Sequence, residues 1–151
     1  MNGLTLRACR YGDLNRVLAI EKAAFPDSPY SRLDFAFFLA RPGSDFTVAV
    51  LDGQSVGYVI AVSNASGGMI QSIAVSPDFR RGGIGEALMK SALGSLSKYR
   101  EVYLLVERNN VAAISLYRKF SFKETGTVRE GYYRNGADAI EMVRSEVGRA
   151  I

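Results

Sequence analysis

The sequence predicts an α/β chain, a central mixed β-sheet of about seven strands with about four helices distributed over both faces. Three observations predict it. Apolar patterning runs strand, two helices, several strands, then strand, helix, strand, helix and a closing strand pair. Residues 69–75 form a dense apolar run that passes through a glycine-rich turn straight into helical spacing, the local order of a βα unit. The composition, 48% hydrophobic and 23% charged over 151 residues, suits one domain spanning 1–151. A domain of this size buries roughly two thirds of its unfolded surface and needs neither disulfide nor metal to be stable.

Taken in order, residues 4–8 alternate and open the chain as a strand, with Cys9 expected in it as a small buried side chain. Asp13 is placed to cap a helix carrying Leu14, Val17, Leu18 and Ala24. Residues 25–30, broken by two prolines, form a loop, and Ser31 with Asp34 resembles a capping box opening a helix through Leu39. Phe35, Phe37, Phe38 and Leu39 make that helix aromatic, suited to filling a core and also to walling a peptide groove. Residues 46–51 and 55–63 read as strands joined through Asp52-Gly53, and 64–68 as a turn cluster. Beyond the glycine turn, Leu88, Met89, Ala92, Leu93 and Leu96 recur at helical spacing, and 101–106 is strand-like. Asn110 is a natural cap for a helix whose Ala113, Leu116, Tyr117 and Phe120 share one face. Residues 122–128 and 139–143 close the chain as two strands separated by 129–138.

The chain contains no histidine, which removes Ser-His and Cys-His dyads, His-ligated zinc and an imidazole base. No metal site is expected. A single cysteine allows no internal disulfide, and no signal peptide or eighteen-residue apolar span is present, so a cytoplasmic chain without membrane contact is expected. The net charge of +4 is scattered from Arg7 to Arg149 without a dense run. That pattern fits attraction of a polyanionic cofactor better than direct binding of nucleic acid.

The chemistry concentrates in two motifs. The first runs from Val75 to Gly85, where glycines let backbone amides approach an anion and the following helix start adds orphan donors. It is not a P-loop, and the dinucleotide pattern fails because its third glycine would have to be Leu88. What stands there is R-x-x-G-x-G, written Arg80, Gly83, Gly85. The second motif is Asn110-Val111-Ala112-Ala113-Ile114-Ser115-Leu116-Tyr117. Together they resemble the acetyl-CoA signature and the N-x-x-A-x-x-L-Y helix of the GNAT N-acetyltransferases, and the resemblance covers nearly the whole chain. It implies that Arg80, Arg81, Gly82, Gly83, Ile84, Gly85 and Glu86 hold the pyrophosphate of coenzyme A, and that Asn110 helps hold the pantetheine arm. It also implies that the amides of Ile73, Ala74 and Val75 fix the pantetheine and polarise the thioester carbonyl, and that Tyr117 protonates the departing thiolate. An ordinary core tyrosine is the alternative for Tyr117. Ser121 departs from the family, which usually has glycine there.

Gly131-Tyr132-Tyr133-Arg134-Asn135-Gly136-Ala137-Asp138-Ala139-Ile140-Glu141-Met142 is similar to the Y-Y-x-x-G-x-D-A-x-x-M ending of the RimI branch and of eukaryotic N-terminal acetyltransferase catalytic subunits. The Ala24-Phe25-Pro26 loop and Ser72 before the glycine turn look like the same group. The resemblance implies that Phe25, Asp27, Ser72, Tyr132 and Tyr133 contact the first residues of a protein or peptide substrate, by direct attack in a ternary complex, with the chain a monomer or weak homodimer.

The general base departs from the branch, because Leu105 stands where RimI proteins have a glutamate. Asp27 is the preferred substitute, Glu107 shares the strand parity of Leu105, and a water chain is a third possibility. An α-amine with a pKa near 8 is roughly 10–20% neutral at pH 7 and a lysine about 0.04%, a gap of about 3.5 kcal/mol, so a site with no obvious strong base favours an α-amine. Acetylation of a lysine side chain or a small-molecule amine is the alternative. A domain that merely senses acetyl-CoA would be expected to lose Tyr117 or the glycine turn, and both are intact.

Overall fold

The computed structural model describes residues 3–65 and 67–145. Within them a seven-stranded sheet runs in the order β1-β2-β3-β4-β5-β7-β6, formed by β1 (Leu4–Ala8), β2 (Ser44–Leu51), β3 (Gln54–Asn64), β4 (Gly67–Val75), β5 (Glu101–Glu107), β6 (Lys123–Arg129) and β7 (Ala139–Ser145). Every neighbouring pair is antiparallel except β4 and β5, which are joined by a helical crossover and run parallel. Four helices cover the sheet: α1 (Leu14–Ala24), α2 (Arg32–Ala40), α3 (Ile84–Ser95) and α4 (Val111–Lys119).

Period-two alternation on β3 sorts the helices between the faces. Tyr58, Ile60 and Val62 point toward α1 and α2, where Leu14, Val17, Ile20 and Phe35 join them with Phe46 and Val48. Val59 and Ala61 point the other way, toward Ile84, Leu88, Met89 and Ala92 of α3 and Ile114 and Tyr117 of α4. β3 is thus buried on both faces, which is why it reads as a continuous apolar run. Gly57 permits the closest approach, since a Cβ there would lie 3.0 Å from Leu88 Cδ1 and 3.1 Å from the Ala74 carbonyl oxygen.

Local chemistry explains most boundaries. The Ser31 hydroxyl accepts from the Asp34 amide at 3.2 Å and the Asp34 carboxylate accepts from the Ser31 amide at 2.7 Å, the reciprocal box expected for α2. α4 ends in a Schellman turn, with the Phe122 amide donating to the Tyr117 carbonyl at 3.1 Å and the Ser121 amide to the Arg118 carbonyl at 2.9 Å. That motif needs a left-handed residue, and Ser121 supplies it at φ 71°.

Several expectations are corrected. Asp13 does not cap α1; its carboxylate pairs with Arg7 at 2.8 Å and accepts the Arg10 amide at 2.8 Å, because a 3-10 turn over Tyr11–Asp13 brings it back toward β1. Cys9 lies one residue beyond β1, buried, with its amide donating to the Phe46 carbonyl at 2.8 Å. The expected turn at 64–68 is shorter, since β3 continues through Asn64 and β4 starts at Gly67; Ser66 itself lies outside the described residues, as does Arg149. The aromatic side chains of α2 do not line the cleft described below, to which that helix contributes Asp34: Phe35 is buried against Tyr30, Phe46 and Tyr58, and Phe37 is 59% exposed. Among the described residues no helix is long and apolar enough to cross a membrane, and no cluster of metal-binding side chains occurs.

Candidate active site

β4 and β5 pair only at Gly68 with Val102, Met69 with Tyr103 and Ile70 with Leu104. On its other side β4 stays paired with β3 through Val75, so beyond Ile70 the sheet divides. A bulge falls at that point, opposite Ile60 and Ala61, and leaves Gln71 as the extra residue of β4. Backbone groups along a strand face its two edges alternately. The Ser76 amide donates to the Val56 carbonyl at 2.8 Å, so Ala74 turns its backbone toward β3, while Ile73 and Val75 turn theirs toward the open edge.

A cleft of about 640 Å³ opens at this division. Its walls come from both faces of the sheet. Glu21, Phe25, Asp27 and Tyr30 line it from α1 and the loop that follows, and Asn110, Ala113 and Tyr117 line it from α4. Ser72 and Ile73 come from β4, Leu105 and Glu107 from β5, and Tyr132 and Tyr133 from the β6–β7 loop. The cleft is thus bounded by elements from both faces of the sheet. A smaller hollow of about 370 Å³, lined by Arg108, Ser115, Arg118 and Glu124 among others, contains none of the expected site residues.

The glycine turn lies at the outer end of β4. Gly83 is the N-cap of α3 at φ +84°, no atom lies within 4 Å of where its Cβ would stand, and Arg81 is also left-handed at φ 66°. α4 is capped by the Asn110 side-chain oxygen, which accepts from the Ala113 amide at 3.2 Å, and α2 by Ser31. α3 has no side-chain cap, and its first intrahelical bond is from the Ala87 amide to the Gly83 carbonyl at 3.0 Å. The amides of Ile84, Gly85 and Glu86 are therefore orphan donors at the positive end of a helix, beside exposed Arg81, Gly82 and Gly83. The Glu86 carboxylate is paired with Lys119 of α4, which offsets the acidic charge in that turn. Arg80 donates to the Val75 carbonyl at 3.3 Å and ties the turn to the strand. A pyrophosphate fits this seat.

Tyr117 packs its ring on Phe122 at 6.1 Å, and its hydroxyl has no hydrogen-bond partner among the described residues. Burial pushes it up to about 12, so it holds its proton at neutral pH. Asn110 spends its oxygen on the cap, which leaves its amide nitrogen as a donor at the cleft. The Arg134 amide donates to Ser28 Oγ at 3.4 Å, joining the two loops expected to close over a substrate. Tyr132 and Tyr133 stand edge to face at 5.0 Å, and burial raises the Tyr133 hydroxyl above its ordinary value. Asp27 is exposed and Glu107 half-buried, and both line the cleft.

The structure also brings in residues that the sequence did not single out for this role. Glu21 is buried, accepts the Tyr30 amide at 2.8 Å and accepts the Tyr58 hydroxyl. Burial raises its carboxyl above the ordinary value, against those two hydrogen bonds. Tyr58 meets Ser72 Oγ at 2.8 Å, and Gln71 donates to the Tyr30 hydroxyl at 2.9 Å. The available signal was a carboxylate seven residues after Leu14, on the apolar stripe of α1.

The sequence model of the acetyltransferase (GNAT) family matches residues 14–122. An N-alpha-acetyltransferase of Saccharolobus solfataricus is 34% identical over 155 aligned positions, covering 93% of this chain and 92% of the relative. The N-alpha-acetyltransferase RimI of Mycobacterium tuberculosis is 31% identical, covering 93% and 92%. The crystal structure of Ard1 from Thermoplasma volcanium superposes with a TM-score of 0.88 at 26% identity, over 95% of this chain and 97% of that one.

Proposed function

The chain belongs to the acetyltransferase (GNAT) family, and from that premise we infer that it transfers the acetyl group of acetyl-CoA to the α-amino group of a protein or peptide N-terminus. The observation that carries this reading is the cleft through the sheet at the β4–β5 division, with the glycine turn and α4 on one side and the α1–α2 loop on the other. Acetyl-CoA, when bound, supplies an acetyl group activated as a thioester.

This chain's residues do the rest. The amides of Ile84, Gly85 and Glu86, with Gly82, Gly83 and the Arg80 and Arg81 side chains around them, hold the pyrophosphate. Ile73 and Val75 present amides along the open edge of β4, where they bind the pantetheine arm and polarise a carbonyl. Ala74 contributes by holding that edge in register against Tyr58. Tyr117 keeps a proton for the leaving thiolate. Phe25, Tyr132 and Tyr133 enclose the first residues of the acceptor, and Asp27 and Glu107 draw its ammonium to the cleft mouth. We take the chain to work in the cytoplasm, without nucleic acid or membrane, as a monomer or weak homodimer, and size-exclusion chromatography at graded concentrations checks the oligomeric state.

The decisive experiment incubates the protein with acetyl-CoA and short peptides varied at the first residue, each with one internal lysine, and locates the acetyl group by mass spectrometry. Acetylation at the α-amine is expected. Modification of lysine alone would replace this reading with side-chain acetylation.

A further inference from the structure

Glu21 occupies a core position of α1 at 2% exposure, and both of its oxygens are engaged, by the Tyr58 hydroxyl and by the Tyr30 amide at 2.8 Å. Tyr58 is itself fully buried and lies 2.8 Å from Ser72 Oγ. A phenol carries one proton. Since Tyr58 gives its proton to Glu21, Ser72 must be the donor in the second bond. The chain therefore has a fixed direction, Ser72 to Tyr58 to Glu21, and the Ser72 oxygen keeps lone-pair capacity for one more donor. Ser72 lines the cleft on the α1 side, next to Ile73 at the open edge of β4. Burying a carboxylate is costly, and this one is aligned on a route to the acceptor side of the cleft.

We propose that Ser72, Tyr58 and Glu21 form a proton-accepting relay for the acceptor amine, with buried Glu21 holding the proton during attack and returning it by the same route to water in the emptied cleft once product leaves. The inference rests on the α-amine reading above. An N–H of the ammonium bonds to Ser72 Oγ; that N–H bond breaks with its electron pair left on nitrogen, and Ser72 gains the proton as it passes its own to the Tyr58 oxygen. Tyr58 passes its proton to the Glu21 carboxylate. One N–H bond is broken, one O–H bond is formed at Glu21, both hydroxyls are restored, and the amine is left neutral to attack. The groups facing Glu21 are Tyr58 from β3, Tyr30 from the loop and Asp34 from α2; burial and the Asp34 charge both favour proton uptake there. Tyr117 acts from the opposite face of the sheet, so the proton withdrawn and the proton supplied travel by separate routes.

The test is the pH profile of kcat/KM for peptide acetylation, from about pH 6 to about pH 10, in the wild type and in Tyr58→Phe, Glu21→Gln and Ser72→Ala. Each variant is expected to lose about 10- to 100-fold near pH 7 and to recover toward the wild type above about pH 8, where the amine is neutral without help. The KM for acetyl-CoA should not move. A deficit equal at every pH, or no deficit near pH 7, overturns the relay. Thermal unfolding monitors the buried variants, and if either fails to fold, Ser72→Ala, which removes the entry atom at a partly exposed position, decides alone. If the wild type acetylates no α-amine, the reading beneath the proposal falls and takes the relay with it, and the wild-type trace alone tells that failure apart.

Discussion

The amide of Phe122 donates to the carbonyl of Tyr117 at 3.1 Å, so the turn that ends α4 is anchored on the residue that faces the cleft. The turn depends on Ser121 at φ 71°, a left-handed conformation that costs a residue with a Cβ roughly 1–2 kcal/mol. Ser121→Gly relieves that strain and keeps both hydrogen bonds. The expected gain is about 1 kcal/mol, or a Tm rise of about 2–4 °C, with kcat unchanged. A melting curve checks it, and a lowered Tm would show that the serine side chain contributes more than its backbone costs.

Tyr117→Phe keeps the ring packed on Phe122 and removes only the hydroxyl proton. Turnover is expected to fall about 10- to 1,000-fold with the KM for acetyl-CoA little changed. Steady-state kinetics with a peptide acceptor checks this, and full turnover in the variant would take Tyr117 out of the chemistry.

Gly57→Ala tests the seating of the glycine turn from beneath. The added Cβ would meet the Ala74 carbonyl oxygen at 3.1 Å, a backbone atom that cannot swing aside, and Leu88 Cδ1 at 3.0 Å. The Leu88 side chain must then turn and β4 shift by a few tenths of an ångström at Ala74, at a cost of about 1–3 kcal/mol. Denaturant unfolding should register the loss, and the KM for acetyl-CoA should rise more than kcat falls.

Asp13 gives a pH-dependent prediction. The Arg7 hydrogen bonds at 2.8 and 2.9 Å, together with the Arg10 amide, hold its carboxyl below the ordinary value. A carboxyl depressed in the folded state stabilises above its unfolded pKa near 3.9, and the contribution disappears as pH falls through the folded value. Asp13→Asn is therefore expected to cost roughly 1 kcal/mol at pH 7 and progressively less as pH falls below about 3.9, read by urea unfolding across that range.

The glycine turn, the Asn110 cap and the Ser31 box were legible because each is set by backbone geometry within a few residues. Side-chain direction was not. α2 is crowded with phenylalanines and has no narrow apolar stripe, so nothing local said that Phe35 would turn to Phe46 and Tyr58 while Phe37 faced outward. Asp13 has the residue type of a cap, but the competing partner, Arg7, is offered by a 3-10 turn that apolar spacing does not reveal. The Glu21, Tyr58 and Ser72 chain joins three elements across 37 and 14 residues, and only strand register and helix docking put those atoms together.

The division of the sheet after Ile70 leaves one edge of β4 without a neighbouring strand. A coenzyme that binds along that edge in the folded chain and not in the unfolded one would, at a hundredfold excess over its Kd, add about 2.7 kcal/mol to the free energy of unfolding. Such a gain is an unfolding midpoint that rises with coenzyme concentration, and since the glycine turn grips the pyrophosphate and not the acetyl group, free coenzyme A should raise it nearly as far as acetyl-CoA.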